Sequence, residues 1–343
     1  MKKVLVVLSQ YRVCERILPI MPILSEKYRL DCLLVYQMSN THKWPGDDDP
    51  RKYFYQTYSK DFNKIFDGEN PAFNDYDLIL TDDNRVSSKT NLEKIYRQKK
   101  GVMISCFHGP VQKWNNVEFF ERGFETVYDK TLVLGKRDCL KNYCLPIGIP
   151  SNDCLKDRKI KSNHILVIVN FVGNIKSVIG FKPFPITFDY RLVREIDFEG
   201  LQKKLDVPII IKLKSRSDEG NEQVARNKSY IKSIMPDVNY SVITDADNDE
   251  LICNSKLVIS CPGTFALKSI QLGIPTVLIE GSNEDGHFPL FKGFVPPSKM
   301  LIRNKIDEMM ESGKDDNFIS EVIEGGEDFS STEKMIEVIE GCL

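Results

Sequence analysis

The chain has 343 residues, of which 41% are hydrophobic and 28% charged, and its formal net charge is −2 at pH 7. That apolar fraction excludes a disordered or collagen-like chain, and the length suits two domains better than one. The near-neutral balance excludes a polybasic or polyacidic tail, and apolar runs such as Val4–Leu8 and Ile165–Val169 are far shorter than the roughly 20 residues of a membrane helix.

Other global features agree. The first apolar stretch ends at Ser9 with no signal-cleavage pattern. Nine cysteines, an odd count without Cys-x-x-Cys spacing, read as reduced thiols. A soluble cytoplasmic protein is expected. Residues 1–150 carry 23 Lys and Arg against 19 Asp and Glu, net +4, and the remainder carries 24 against 30, net −6. The N-terminal half therefore suits a slightly more anionic partner.

Lys3–Ser9 reads as a buried strand, Tyr11–Lys27 as a helix from the spacing of Ile17, Ile20, Met21 and Leu24, and Leu30–Tyr36 as a second strand. This βαβ pattern predicts a parallel sheet with a right-handed crossover. A polar, aromatic-rich insertion follows from Gln37 to about Asn74, with helix expected around Tyr53–Ile65. Strand Asp77–Leu80, helix Ser87–Lys99 and strand Val102–Cys106 come next, then short strands near Thr126–Tyr128 and Leu132–Leu134. Gly148, Pro150 and the charge run Lys156–Lys159 break the periodicity and place a boundary near Pro146–Lys161. Strands are then expected at His164–Asn170, Pro208–Leu213, Tyr240–Thr244, Lys256–Ser260 and Pro275–Ile279. Helices are expected at Leu192–Leu205, Glu219–Ile234, Asp247–Asn254 and Phe265–Leu272, with a mostly helical tail from Asn317. The fold class is α/β, with two Rossmann-like domains, 1–155 and 160–343, whose parallel sheets face a central cleft. Ligands of such sheets bind at the carboxyl ends of the strands.

The segment around Ser260-Cys261-Pro262-Gly263-Thr264-Phe265 is the most informative. A strand ends at Ser260, Gly263 permits a tight turn, and a helix begins at Thr264. Free amides at that helix start, with the positive end of its dipole, make an anion site suited to a pyrophosphate. A plain strand–turn–helix with an ordinary Thr cap is the alternative.

With Leu272-Gly273-Ile274-Pro275 following, this pattern resembles the donor-binding half of the GT-B glycosyltransferase superfamily. That group uses nucleotide-activated sugars and includes CDP-glycerol glycerophosphotransferases and UDP-N-acetylglucosamine 2-epimerases. Gly148-Ile149-Pro150-Ser151-Asn152-Asp153 resembles the Gly-x-Pro-x-x-Asp stretch that ends their first domain, and Ser105–Trp114, with His108-Gly109-Pro110 and Lys113, resembles the His-Gly loop of the CDP-glycerol branch. The resemblance implies a UDP-linked sugar donor as co-substrate and no further cofactor. Two departures stand out. Where relatives carry a ribose-binding Glu the chain has Lys268, which could contact phosphate instead. The Lys-x-His-Pro signature is replaced by Lys212-Leu213-Lys214-Ser215-Arg216, which lacks the His and favours a sugar donor over a polyol phosphate.

The catalytic candidates are His108 and Asp82, each following a strand end and each able to take the proton of an acceptor hydroxyl. His108 could instead cap a core edge, and Asp82 the helix near Ser87. Lys212, Lys214, Arg216, Ser260, Pro262, Gly263, Thr264, Phe265, Lys268 and His287 are candidates for the donor. Ser9, Tyr11, Arg12, Gly109 and Trp114 are candidates for the acceptor, together with aromatics such as Phe54, Tyr55 and Tyr58. His42 and His164 read as surface residues. Asp47-Asp48-Asp49 precedes Pro50 in a polar insertion and reads as a solvated loop, and no His/Cys cluster has zinc spacing, so no metal is expected.

Three functions stay open: an inverting, metal-independent glycosyltransferase; a polyol-phosphate transferase or nucleotide-sugar epimerase on the same fold; and a non-catalytic nucleotide- or sugar-binding protein. The acceptor could be a glycan, a small metabolite or a hydroxylated base in DNA, although the +4 half is weakly charged for a nucleic-acid binder.

Overall fold

Val4, Leu5, Val6, Val7 and Leu8 present no polar face, so this strand can be stable only when covered on both sides. All five are fully buried in the computed structural model. The structure describes residues 1–8, 17–35, 50–81, 89–106, 128–139, 142–169, 196–213, 225, 228–229, 231–233, 235–236, 238–244, 246–260, 263–278, 307, 310 and 316–343. These fall into two units, Met1–Lys156 with Ile319–Leu343, and Asp157–Phe318.

In the first unit the strands are β1 (Lys3–Leu8), β2 (Arg29–Leu34), β3 (Lys64–Asp67), β4 (Leu78–Thr81), β5 (Val102–Cys106), β6 (Lys130–Val133) and β7 (Cys144–Pro146). They form one sheet in the order β3-β2-β1-β4-β5-β6-β7, every neighbouring pair parallel. One face packs Val4, Val6, Leu78, Leu80 and Ile104 against Met21 and Leu24 of α1 (Met21–Lys27) and against Phe54 of α2 (Pro50–Thr57). The opposite face packs Leu5, Val7, Ile79 and Met103 against Leu92 and Ile95 of α3 (Lys89–Gln98). Phe54 lies in this core, so it does not line an acceptor groove as the aromatic-rich reading suggested.

The second unit holds β8 (His164–Val169), β9 (Ile209–Leu213), β10 (Tyr240–Ile243), β11 (Ser255–Ser260) and β12 (Thr276–Leu278), ordered β10-β9-β8-β11-β12 and again parallel. Ile165, Val167, Ile209, Ile211, Leu257 and Ile259 face Phe198, Leu201 and Leu205 of α4 (Phe198–Leu205). Leu166, Ile168 and Val258 face α5 (Asn248–Cys253) through Leu251 and Ile252, and α6 (Thr264–Gln271) through Phe265. Asp197 ends the expected helix Leu192–Leu205 early at its N-terminal side, because its carboxylate accepts the Gly200 amide at 2.8 Å and caps α4.

The C-terminal boundary differs from the expected 160–343. Ile319–Leu343 returns to the first unit, where Met335 and Ile339 of α8 (Ser331–Cys342) join the core beside Val4 and Leu24. α7 (Asp316–Val322) runs into that segment, which opens at Ile319. Asp153, the carboxylate of the Gly-x-Pro-x-x-Asp stretch, accepts the amide of Thr332 at 2.6 Å and that of Ser331 at 3.3 Å, capping α8 from 179 residues away. Gly148, at φ +76°, lets the Glu324 backbone come close, since a Cβ there would stand 2.1 Å from the Glu324 carbonyl oxygen. Two strands also differ from expectation. Lys64–Asp67 forms β3 where helix was expected, and Cys144–Pro146 forms β7 where a linker began.

His164 is a correction as well. Instead of lying on the surface it is only 4% exposed, with Nε2 3.2 Å from the Ser255 hydroxyl, which itself donates to the Leu251 carbonyl at 2.7 Å. Burial lowers its pKa below the ordinary value. A depressed folded-state pKa contributes stability that is present above the unfolded value near 6.5 and is lost as pH falls below it. Stability measured by urea unfolding should therefore fall as pH drops below about 6.5, and His164→Gln should flatten that slope. Asp153→Ala, by leaving the α8 amides uncapped, should lower stability by about 1–2 kcal/mol in the same assay at pH 7.5.

Candidate functional site

In the second sheet the strand order reverses between β8 and β11. Successive connections run outward in opposite directions there, leaving a crevice at the carboxyl ends of the two strands. The register places Lys212 of β9, Ile168 of β8 and Ser260 of β11 side by side in one row at that edge. Lys212 lies two residues beyond Ile210, and Ser260 two beyond Val258. Both therefore share the face that carries α5 and α6. Across the two strand spacings, Lys212 and Ser260 stand roughly 10 Å apart at the backbone. Lys212 is 9% exposed and Ser260 1%, and the Lys212 ammonium donates to the Thr244 carbonyl just past β10.

Three residues beyond Ser260 the chain enters α6. Its N-cap is Gly263, whose carbonyl accepts the Leu267 amide at 3.1 Å but which offers no side-chain oxygen to the first-turn amides. The contrast with α4 and α5 is direct: Asp197 caps the first, and Asp247 caps the second by accepting the amides of Asp249 and Glu250. At Gly263 φ is 164°, an extended backbone open to any residue, so the expected tight turn is not what requires glycine there. What the glycine does is leave the first-turn amides of α6 without a side-chain acceptor beside the β8/β11 crevice. Phe265 anchors that turn by packing against the cluster of Leu166, Ile168 and Val258.

Lys268 lies one turn further into α6, and its ammonium is paired with the Asp249 carboxylate of α5, the side chains 17% and 25% exposed. Asp249 was not singled out in the sequence. Its signal is the Asp247-x-Asp249 pair opening a helix just before the β11 run, where the first carboxylate caps and the second is left to reach a neighbour. Among the described residues no group of three or more His, Cys, Asp and Glu side chains could hold a metal ion, and no helix is long and apolar enough to cross a membrane. Lys214, Arg216, Pro262 and His287 of the expected donor set lie outside the described residues, as do Ser9, Tyr11, Arg12, Asp82, His108, Gly109 and Trp114, and also His42 and Asp47–Asp49.

Where several of those segments leave the first sheet is nevertheless defined. β1, β4 and β5 are adjacent, with Val7 beside Thr81 and Thr81 beside Ser105. Ser9 follows the end of β1, Asp82 follows the last residue of β4, and His108 comes two residues after the end of β5. The three strand ends that precede them in the chain are neighbours around the reversal between β1 and β4.

No family model matches the sequence, and no curated protein matches it. Solved structures do match over nearly the whole chain. Anabaena Alr3699/HepE, in complex with UDP and glucose, is 10% identical over 99% of this chain and 100% of its own, with a TM-score of 0.59. The UDP-GlcNAc 2-epimerase from Neisseria meningitidis, bound to UDP-GlcNAc, is 11% identical over 99% and 100%, with a TM-score of 0.58. The chain has the GT-B fold. A glycosyltransferase from Rickettsia africae shares it at 13% identity over 99% of this chain and 98% of that one, with a TM-score of 0.55. At such identities the likeness concerns the GT-B fold alone, and the chemistry has to be argued from this chain's own residues.

Proposed function

We propose that the chain is a glycosyltransferase that moves a sugar from a UDP-linked donor to a hydroxyl acceptor. The observation that carries this reading is the row at the carboxyl edge of the second sheet. There a buried ammonium, Lys212, shares a face with a helix start whose cap leaves its amides to a ligand. Positive charge and directed N–H donors at one strand-end crevice suit a diphosphate. The UDP and UDP-sugar named with two structures of the same fold agree with that ligand class.

In this mechanism the acceptor oxygen forms a bond to the anomeric carbon while the bond from that carbon to the diphosphate oxygen breaks. The electron pair leaves with UDP, and the acceptor proton passes to His108 or Asp82. The α6 amides and Lys212, with Lys214 and Arg216 following in sequence, stabilise the charge that gathers on the leaving diphosphate. Because these groups supply the positive charge, the reaction is assigned no divalent ion. A single displacement inverts the anomeric configuration. An epimerase reading is the second possibility, favoured by the equally good superposition of the Neisseria structure, and it differs in needing no acceptor.

A thermal-shift screen against nucleoside diphosphate sugars should raise the melting temperature most with UDP-linked compounds. Lys212→Met should weaken UDP binding by about 10- to 100-fold, the worth of one hydrogen bond to a charged group. His108→Ala or Asp82→Asn should abolish transfer while sparing UDP affinity. Sugar transfer that persists in both variants, or rearrangement of a UDP-sugar with no acceptor present, would contradict this assignment.

A further inference from the structure

The end of β10 and the first turn of α5 hold one lysine each. The Thr244 carbonyl accepts from the Lys212 ammonium, and five residues later Asp249 pairs with Lys268. Asp249 is itself fixed, because Asp247 caps α5 by accepting the Asp249 and Glu250 amides at 2.8 and 3.2 Å. Lys268 is four residues from Thr264, so its backbone lies about 6 Å along the axis from the start of α6. Both partners of the pair are mostly withdrawn from solvent, which limits screening of either charge.

We propose that Asp249 sets the charge of the diphosphate site so that it favours an esterified diphosphate over a free nucleoside diphosphate. The inference rests on the donor-site reading above and extends it to selectivity and product release. A nucleotide sugar is esterified at both ends of its diphosphate and carries two negative charges. Its transfer product ends in a free phosphate whose second ionisation falls near pH 6, adding most of a third charge above neutrality. Asp249 cancels the Lys268 ammonium, leaving Lys212 and the α6 amides to meet two charges. The third charge of the product then lies near a carboxylate rather than a bare cation. Discrimination falls on the product, which is released, rather than on the donor, which must be held. One charge acting over about 10 Å in a partly buried site is worth roughly a tenfold change in binding.

The test compares UDP with its β-methyl ester, which carries the same base and diphosphate but lacks the third charge, by calorimetry on the full chain at pH 8. Asp249→Asn should raise affinity for UDP roughly tenfold more than for the methyl ester. Lys268→Gln should lower it with the opposite bias, and the double variant Asp249→Asn/Lys268→Gln should return the ratio of the two affinities to the wild-type value. Equal shifts for both ligands in Asp249→Asn, or a ratio that stays displaced in the double variant, overturn the proposal and leave the pair a strut between helices. Failure of the wild type to bind either nucleotide removes the donor-site reading itself, which separates the two failures.

Discussion

The donor site proposed in the second unit depends on how α6 begins. A helix start carries several amides with no partner inside the helix, and most chains satisfy them with a side chain from the N-cap. Two other helices on this sheet, α4 and α5, do so with Asp197 and Asp247. α6 is N-capped by Gly263, which has no side chain, three residues past the strand that borders the reversal of strand order. Placing unspent donors at that crevice costs local stability, which Phe265 offsets by packing against Leu166, Ile168 and Val258. On the proposed reading, the arrangement trades a cap for a ligand.

Electrostatics then sorts the lysines by neighbourhood. Lys212 extends from a strand end onto a backbone carbonyl, and Lys268 extends from the next helix onto a carboxylate. Their residue type is the same, yet one contributes a cation to the edge and the other is largely neutralised. Lys212 is held by the Thr244 carbonyl and Lys268 by the Asp249 carboxylate in the first turn of α5, so both depend on the same end of the sheet. The first unit shows a comparable economy, since the motif carboxylate Asp153 serves as the cap of the last helix and ties the C-terminal segment to its core.

What could be read from the chain follows from where each element finds its partners. Strands buried on both faces, such as Lys3–Leu8 and His164–Val169, announce themselves as unbroken apolar runs. Lys64–Asp67 does not, because a four-residue edge strand with both end residues exposed, inside a polar stretch, carries little apolar signal. Cys144–Pro146 is three residues long and ends in proline, which pairs only at an edge and reads as a linker. His164 follows Ser162 and Asn163 and looks solvated until Ser255, 91 residues on, closes over it. The return of Ile319–Leu343 rests on contacts across nearly 180 residues and has no local signature. At the candidate site, the strand–Gly–helix pattern of β11 and α6 was legible, whereas the pairing of Lys268 depended on a carboxylate from another helix.

The most direct measurement is amide hydrogen exchange of the full chain with and without UDP. The account predicts that saturation with UDP slows exchange at Thr264–Ala266, the first turn of α6, more than at the equally short helix starts after Asp197 and Asp247. Unchanged exchange at that turn, with protection confined to other parts of the chain, would contradict it.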